Sequence, residues 1–357
     1  MDQEAGVSLG SSMDSQTINR RVLSLTLLGV LAVVLFLYFF VDIAETVRTI
    51  SSADPFLCSL ALVFVVSGIF FYALTWNIIL RVVSKPIGVW RAFQYVCTSI
   101  FMSIVVPGGT ISEETTRTYL TTKNSENNPG SVIASIISHR VIDIIPFLGG
   151  TCIGFVFMVK NREFLVDYAI YAVSSVIFLI IVALSLVLYL AIRPEKTERV
   201  LSTIFRLVAR FYRKTEKLKS WREKAFEELG LFHDGIDRLR NKPLILAPAF
   251  LFTILSYVSD IVAPKLVFRA LSVDVPFTII ITVYTITIAL LTIPVGIPGM
   301  TGPAEITMIT LYSAAGVPPA AAAAATLILR GMNFWFEIAL GGIMAYWVGT
   351  RAVSKAS

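Results

Sequence analysis

Apolar runs long enough to cross a bilayer recur along this chain of 357 residues and constrain its fold more than any other feature. A spanning helix needs about 20 predominantly apolar residues. With 56% hydrophobic and only 15% charged residues, the composition excludes an ordinary soluble enzyme and a disordered protein. The sequence therefore predicts an all-α polytopic membrane protein with no room for a separate catalytic domain. The predicted full spans are residues 22–41, 55–80, 131–159, 166–192, 244–271 and 319–348.

Two further apolar runs end at clusters of proline and glycine. Residues 90–106 end at Pro107-Gly108-Gly109 and are followed by a strongly polar stretch, and residues 277–297 end at Pro298-Gly299. Polar backbone is tolerated at membrane depth only where it is buried in protein or lines a cavity. We therefore interpret each break as the tip of a re-entrant helical hairpin, which gives six full spans and two hairpins. The alternatives are eight spans and, for the polar stretch 110–128, an ordinary surface loop.

The net charge of +6 comes from one basic segment, residues 193–242. A basic segment between two spans is typical of a cytoplasmic loop that faces anionic lipid headgroups, and nucleic-acid binding is a weak alternative. Within this segment Val200, Ile204 and Val208 recur at helical spacing, with arginines on other faces. This pattern predicts an amphipathic helix on the membrane surface; a solvated helix between spans is the alternative.

The positive-inside rule assigns an orientation to these elements. Both termini are expected in the cytoplasm of a multi-pass plasma-membrane protein, with the two hairpins dipping from opposite faces. The expected parts are a disordered tail at 1–19, one transmembrane domain at 20–350 and a second tail at 351–357. Within the domain, two repeat halves at about 55–192 and 244–348 are joined by the basic segment 193–242.

The two breaks match each other in sequence. Pro107 to Glu114 aligns with Pro298 to Glu305, because both segments read P-G-x-T-x-x-x-E. Further along each half, Arg140-x-x-Asp143 aligns with Arg330-x-x-Asn333 at nearly the same offset. Paired Gly/Pro-interrupted segments in corresponding halves point to the binding site of a transporter. The sequence therefore predicts an inverted internal repeat with its site at the breaks.

The chemistry of the breaks suits an anionic ligand. Proline removes a donor and glycine frees the backbone, so helices end there, and the next helix N-terminus presents unpaired N–H groups to a phosphate. Arg140 and Arg330 lie in apolar runs, where an unpaired charge costs at least about 2.5–3.5 kcal/mol, so each needs a partner. The candidate partners are Asp143 for Arg140, and Glu305, Glu114, Glu337 or a bound phosphate for Arg330.

The residues assigned to substrate binding come from both halves. Glu113 and Arg117 have the alternative of pairing with each other on a solvated helix face, Asp260 that of a structural role, and His139 is expected in the core. Catalytic residues, metal ligands and cofactors are not expected, since the chain has only 2 histidines and no CxxC pair. The assigned residues are Pro107, Gly108, Thr110, Glu113, Glu114, Arg117, Arg140, Asp143, Asp260, Pro298, Gly299, Thr301, Glu305, Arg330 and Asn333.

Several of these segments resemble the lysylphosphatidylglycerol synthase transmembrane region, a flippase-like family. The resemblance departs from the family pattern at two positions. Ser112 stands where the family has glycine before Glu113, and His139 stands where the family often has glutamate. Glu113 and Glu114 therefore both remain candidates for the family's acidic position. The segments that carry the resemblance are Val106–Gly109 with Glu114 and Arg117, His139–Asp143, Ile297–Glu305, Gly316–Pro318, Leu329-Arg330, Phe334-Trp335 and Gly341-Gly342.

The resemblance implies a lipid-translocating domain. Two-domain members carry a soluble aminoacyltransferase or glycosyltransferase, so this chain is expected to act alone on a lipid that a separate transferase makes. The implied substrate is an anionic phospholipid or a polyprenyl-phosphate-linked glycolipid. The alternatives are a membrane enzyme that uses Glu114 or Glu305 as acid/base on a lipid headgroup, and an ion-coupled carrier of a small solute.

Overall fold

The computed structural model describes residues 42–106, 109–125, 127–160, 189–211, 215–291 and 297–353, together with residues 38, 178, 182, 185 and 186. The described residues form helices joined by turns, with no strand among them. A 3-10 turn, Pro298–Met300, precedes α10, and a π-helical turn, Gly331–Phe336, joins α11 to α12. The helices are α1 (Ile43–Ser51), α2 (Pro55–Val83), α3 (Val89–Val105), α4 (Thr110–Ser125), α5 (Pro129–Lys160), α6 (Pro194–Phe211), α7 (Thr215–Arg240), α8 (Pro243–Ala270), α9 (Phe277–Leu291), α10 (Pro303–Ala314), α11 (Pro319–Arg330) and α12 (Glu337–Val353).

Four helical segments are long and apolar enough to cross a membrane: Pro55–Val83, Pro129–Gly154, Pro243–Ala270 and Pro319–Gly349. They confirm the all-α membrane class and coincide with four of the predicted spans. The predicted spans 22–41 and 166–192 lie almost entirely outside the described residues, as does the predicted tail 1–19. The total number of spans therefore stays a prediction.

Each of these four segments begins with a proline, at Pro55, Pro129, Pro243 and Pro319. Proline suits this position because the first N–H groups of a helix have no partner within the helix. At α2 the Asp54 carboxylate adds a cap by accepting from the first free N–H groups of the helix. The sequence thus marks where each span starts by local chemistry as well as by composition.

Helices α2 and α8 form the central antiparallel pair. The Asp54 N–H donates to the Ala270 carbonyl at 2.9 Å, and the Ser256 hydroxyl donates to the Gly68 carbonyl at 3.0 Å. A Cβ atom at Gly68 would lie 3.2 Å from Asp260 Oδ1, so a small residue permits this close approach. Small residues and interhelical hydrogen bonds are what hold helices together in a bilayer, where the apolar lipid provides no hydrophobic driving force.

The two breaks share a backbone feature. Gly109, the last residue of the first break, has a φ of 49°, and Met300, at the aligned position of the second break, has a φ of 50°. A positive φ is costly for a side chain such as that of methionine, by roughly 1–2 kcal/mol. Both breaks therefore turn the chain in the same left-handed way, and the second does so against the preference of its residue.

The stretch 110–128 is not an ordinary surface loop. Its residues Thr110–Ser125 form helix α4, which packs against α3 and α5. In the second half the helix formed by the apolar run 277–297 ends at Leu291, and residues 292–296 lie outside the described part. That these paired short helices re-enter the membrane from opposite faces remains a prediction.

The basic segment folds as two helices, α6 and α7, and α7 is attached to the membrane helices. The Glu228 carboxylate accepts from the Gly130 N–H at the start of α5 at 2.5 Å. The Arg238 guanidinium donates to the Val83 carbonyl at the end of α2 at 3.2 Å. These charges complement the helix ends that they contact. Helix α7 therefore bridges two spans.

The connection between α8 and α9 carries a pH-sensitive ion pair. Lys265 Nζ lies 2.6 Å from Asp274 Oδ1, and this hydrogen bond lowers the pKa of the exposed Asp274 carboxyl. A lowered pKa means that the pair stabilises the protein above the usual aspartate range, and that this contribution is lost as the pH falls through the lowered pKa. Asp274→Asn is therefore expected to lower the melting temperature slightly at neutral pH and not in strong acid. Thermal unfolding across a pH series measures this, and a difference independent of pH would contradict it.

Candidate functional site

Glu113 on α4 is the centre of a buried hydrogen-bond network in the first half. Its carboxylate accepts from Arg117 Nη2 at 2.5 Å, from the Tyr72 hydroxyl at 3.1 Å and from Arg140 Nη2 at 2.9 Å. Arg140 Nε donates to Glu114 Oε1 at 3.2 Å. The partners of Arg140 therefore lie on α4, across the helix interface. The first-half network comprises Tyr72, Glu113, Glu114, Arg117, His139, Arg140 and Asp143.

Arg117 is completely buried, with a side chain that is 0% exposed. Its guanidinium lies 5.3 Å from the Tyr72 ring centre and 5.2 Å from that of Trp76, and it donates to the Tyr72 hydroxyl at 3.1 Å. The predicted i,i+4 pair with Glu113 exists, but its position on a solvated face was wrong. Arg117 contacts Glu113, Tyr72 and Trp76, although its Nε has no hydrogen-bond partner among the described residues, so we assign it the role of fixing Glu113.

His139 connects Arg117 to Asp143. Arg117 Nη1 lies 3.4 Å from His139 Nδ1, and a guanidinium can only donate. We assign the ring proton to Nε2 for that reason, and Nε2 faces Asp143 Oδ1 at 3.5 Å. Among the described contacts, the Asp143 side chain thus lies against His139, whereas Arg140 pairs with Glu113 and Glu114. The local Arg140–Asp143 pair that spacing allowed is replaced by these contacts.

A second network, the second-half network, consists of Gly299, Gly302, Glu305, Arg330 and Phe334. Arg330 Nε donates to Glu305 Oε1 at 2.6 Å, and Nη2 donates to the Gly299 carbonyl at 2.9 Å. The other oxygen of Glu305 accepts from the Gly302 N–H at 2.7 Å, at the start of α10. Among the four candidate partners of Arg330, the structure therefore selects Glu305.

Gly299 is required by its neighbours. A Cβ atom there would lie 2.1 Å from Cε2 of Phe334, and the residue has a φ of 54°. The Phe334 ring in turn lies 4.7 Å from the Arg330 guanidinium. The glycine of the second break thus lets an aromatic ring pack against the turn and hold the arginine over it.

The two halves share one arrangement of an arginine and a glutamate, but the side chains of this pair are more exposed in the first half. In each, an arginine on a spanning helix donates its Nε to a glutamate that follows the Pro-Gly break. The Arg330 and Glu305 side chains are only 13% and 7% exposed, whereas those of Arg140 and Glu114 are 33% and 36% exposed. The first-half arginine is therefore the one that a ligand can reach.

Two further carboxylates belong to neither network. The Tyr284 hydroxyl donates to Asp260 Oδ2 at 2.8 Å. Glu337 lies at the start of α12, directly after the π-helical turn. In the part of the chain that the structure describes, neither Asp260 nor Glu337 forms an ion pair with lysine or arginine. Lys265, five residues from Asp260 in sequence, pairs with Asp274.

The remaining predicted site residues differ in exposure, and two of them are not described. Pro107 and Gly108 lie outside the described residues, Thr110 is exposed at the start of α4, and Thr301 is buried just after the 3-10 turn. Asn333 is exposed within the π turn. One extra residue in a turn rotates the rest of the helix by about 100°, so the match of Asn333 with Asp143 in sequence does not extend to three dimensions. Over the described ranges, no group of three or more His, Cys, Asp or Glu residues is arranged to hold a metal ion.

Sequence reasoning missed the aromatic members of the site. Tyr72 and Trp76 lie one turn apart on α2 and flank Arg117, and Tyr284 on α9 contacts Asp260. The i,i+4 spacing of Tyr72 and Trp76 is the one signal in the sequence that could have found them. Aromatic residues in apolar spans are too common for that spacing to single them out.

The chain is similar to known membrane proteins over most of its length. The family model for the lysylphosphatidylglycerol synthase TM region matches residues 26–341. A UPF0104 membrane protein of Methanothermobacter thermautotrophicus is 27% identical over 312 residues, covering 87% of this chain and 91% of that protein. One of Pyrococcus horikoshii is 27% identical over 332 residues, covering 90% and 95%, and one of Methanocaldococcus jannaschii is 24% identical over 311 residues, covering 85% and 88%.

Proposed function

Because the chain belongs to the lysylphosphatidylglycerol synthase transmembrane-region family, we propose that it is a lipid transporter that moves an anionic lipid across the membrane. The substrate class is a phospholipid or a polyprenyl-phosphate-linked glycolipid. The observation that carries the proposal is Arg140, a partly exposed guanidinium at the first break whose partners are the carboxylates of Glu113 and Glu114.

A lipid phosphate can take the place of those carboxylates. Guanidinium and phosphate form charge-assisted, often bidentate hydrogen bonds, so phosphate oxygens can replace the Glu114 oxygen on Arg140 Nε. Glu113 would still accept from Arg117 and Tyr72 after such an exchange. The exchange therefore leaves the buried Glu113 carboxylate paired with Arg117, and only the partly exposed Glu114 carboxylate loses its cation.

Arg330 has a different role in this proposal. Its contacts with Glu305, the Gly299 carbonyl and the Phe334 ring hold the second break in shape. Lipid binding is thus assigned to the first half, and the structural frame to the second. Arg330 was predicted to bind phosphate, but this proposal assigns it the structural role of holding the second break.

The charge pattern along the chain supports the proposed orientation. The protein acts in the plasma membrane with both termini in the cytoplasm, on a lipid that a separate transferase makes. Transport is driven by the lipid gradient or by coupled ions. The protein does not itself transform the lipid.

Copurified lipids test this assignment. Arg140→Gln is expected to lower the amount of a specific anionic lipid that copurifies with the protein by about tenfold or more, because a hydrogen bond to a charged group contributes about 1.5–3 kcal/mol. Mass spectrometry of the detergent-solubilised protein, normalised to bulk membrane lipid, measures this. Arg91→Gln is the matched control, since Arg91 is exposed on α3 and outside both networks.

Two results would contradict the proposal. One is an equal lipid content in wild type and Arg140→Gln, with the same melting temperature. The other is an unchanged rate of lipid movement in proteoliposomes that contain Arg140→Gln. A product formed from the copurified lipid by the purified protein alone would favour an enzyme instead.

A further inference from the structure

Helix α6 carries an apolar strip that the described structure leaves uncovered. The strip residues are between 40% and 55% exposed, and they recur at intervals of three and four, so they share one helix face. The adjacent side of α6 is half-buried, and the helix packs on α7. The apolar strip consists of Val200, Ile204, Leu207 and Val208.

Basic residues border the strip on its other side. Lys196, Arg199 and Arg206 are exposed and fall within one sector of the helix, since each residue turns it by about 100°. Among the described residues, none of the three forms an ion pair with a carboxylate; Arg206 donates only to Thr203 of its own helix. An apolar strip with an adjacent unpaired basic edge complements a surface that is apolar below and anionic above.

We infer that α6 lies in the plane of the membrane surface and binds anionic phospholipid there. The apolar strip inserts at the boundary between headgroups and acyl chains, and the basic edge contacts lipid phosphates. Helices of this kind bury their apolar face about 5–10 Å deep. Each basic residue near an anionic leaflet strengthens binding by about fivefold. This interaction is independent of which lipid the protein moves.

Attachment of α6 to the rest of the protein gives this contact a fixed place. Helix α6 packs on α7, and α7 bridges α5 and α2 through Glu228 and Arg238. The surface-bound helix is therefore joined to the start of α5, the helix that carries Arg140. A leaflet of suitable charge would hold the cytoplasmic ends of these two spans together.

Spin labels on single cysteines test the inference in the full-length protein. Cys58, Cys97 and Cys152 are replaced by alanine, and one cysteine is introduced at Leu207 in the strip or at Ala209 on the opposite, exposed side. In nanodiscs rich in phosphatidylglycerol, the Leu207→Cys label is expected to collide with oxygen and to be protected from an aqueous nickel chelate. The Ala209→Cys label should show the reverse.

Charge reversal distinguishes binding of α6 to anionic lipid from burial of its apolar strip against protein. Arg199→Glu/Arg206→Glu should lower the equilibrium ratio of inserted to uninserted label at position 207 by about 25-fold or more, because it removes two basic residues and adds two acidic ones. Lys219→Glu/Arg222→Glu on α7 is the matched control and should change nothing. The inference is overturned if both labels are equally open to nickel, if the charge reversal has no effect, or if the label at 207 is shielded from both reagents.

Discussion

Replacing Arg117 by leucine is expected to destabilise the protein more than any other single substitution in the first-half network. The substitution removes a fully buried charge that donates to Glu113 and Tyr72 and lies against Trp76. Leucine fills part of the space but donates no hydrogen bond, so Glu113 keeps its buried charge with fewer partners. Breaking a buried ion pair in this way costs about 3–5 kcal/mol.

Thermal unfolding in detergent micelles measures this effect. Lys123→Leu is the control, because Lys123 is also a cation on α4 but is exposed, with a described contact to Tyr119 of the same helix. Exposed substitutions of this kind change stability by about 0.5 kcal/mol or less. If Arg117→Leu unfolds at the same temperature as Lys123→Leu, Arg117 does not hold the network.

The second large effect is expected at the second break. Arg330→Gln leaves Glu305 buried without its cation and removes the donor to the Gly299 carbonyl. A loss of about 3–5 kcal/mol is expected, together with little change in the lipid bound at Arg140. Glu305→Gln/Arg330→Gln should recover part of the loss, because neither charge is then left unpaired.

The equivalent pair in the first half provides the comparison. Glu114→Gln removes a pair that is about one-third exposed, and solvent screens such a pair to a coupling of about 0–1 kcal/mol. Arg140→Gln also removes the contact of Arg140 with Glu113, but Glu113 keeps Arg117 as its cation, so a smaller loss than at Arg330 is expected. A stability loss at Arg140 equal to that at Arg330 would show that the halves are equivalent. A loss of bound lipid in Arg330→Gln without a loss of stability would reverse the roles assigned to the two arginines.

Apolar composition and run length predicted several spans closely. The run predicted at 55–80 forms Pro55–Val83, and that predicted at 244–271 forms Pro243–Ala270. The length of an apolar run is enough to predict such a helix, because a helix needs about 20 apolar residues to cross the bilayer. The run 277–297 is helical from Phe277 to Leu291, and the end predicted at 297 stays a prediction because residues 292–296 lie outside the described part of the chain.

The sequence predicted which residues belong to the candidate site better than it predicted which of them contact each other. Arg140 and Arg330 stood out because charge is costly in an apolar run. Spacing along the chain could not choose Glu305 for Arg330, since that contact crosses from one helix to another. Nor could it show that Arg117 would be buried between Tyr72 and Trp76, because those rings come from a separate span. Contacts between helices depend on packing that no local pattern encodes.

The order of the ion-pair partners along the chain bears on how the protein is made. Each arginine of the two breaks emerges from the ribosome after the glutamate that will neutralise it, since Glu113 and Glu114 precede Arg140 and Glu305 precedes Arg330. If an arginine enters the bilayer without a counter-charge, the full free-energy cost of placing a charge in hydrocarbon opposes its insertion. Here its counter-charge has already been synthesised in the same half. The first half can therefore enter the bilayer during translation with the charge of Arg140 compensated, before the second half exists.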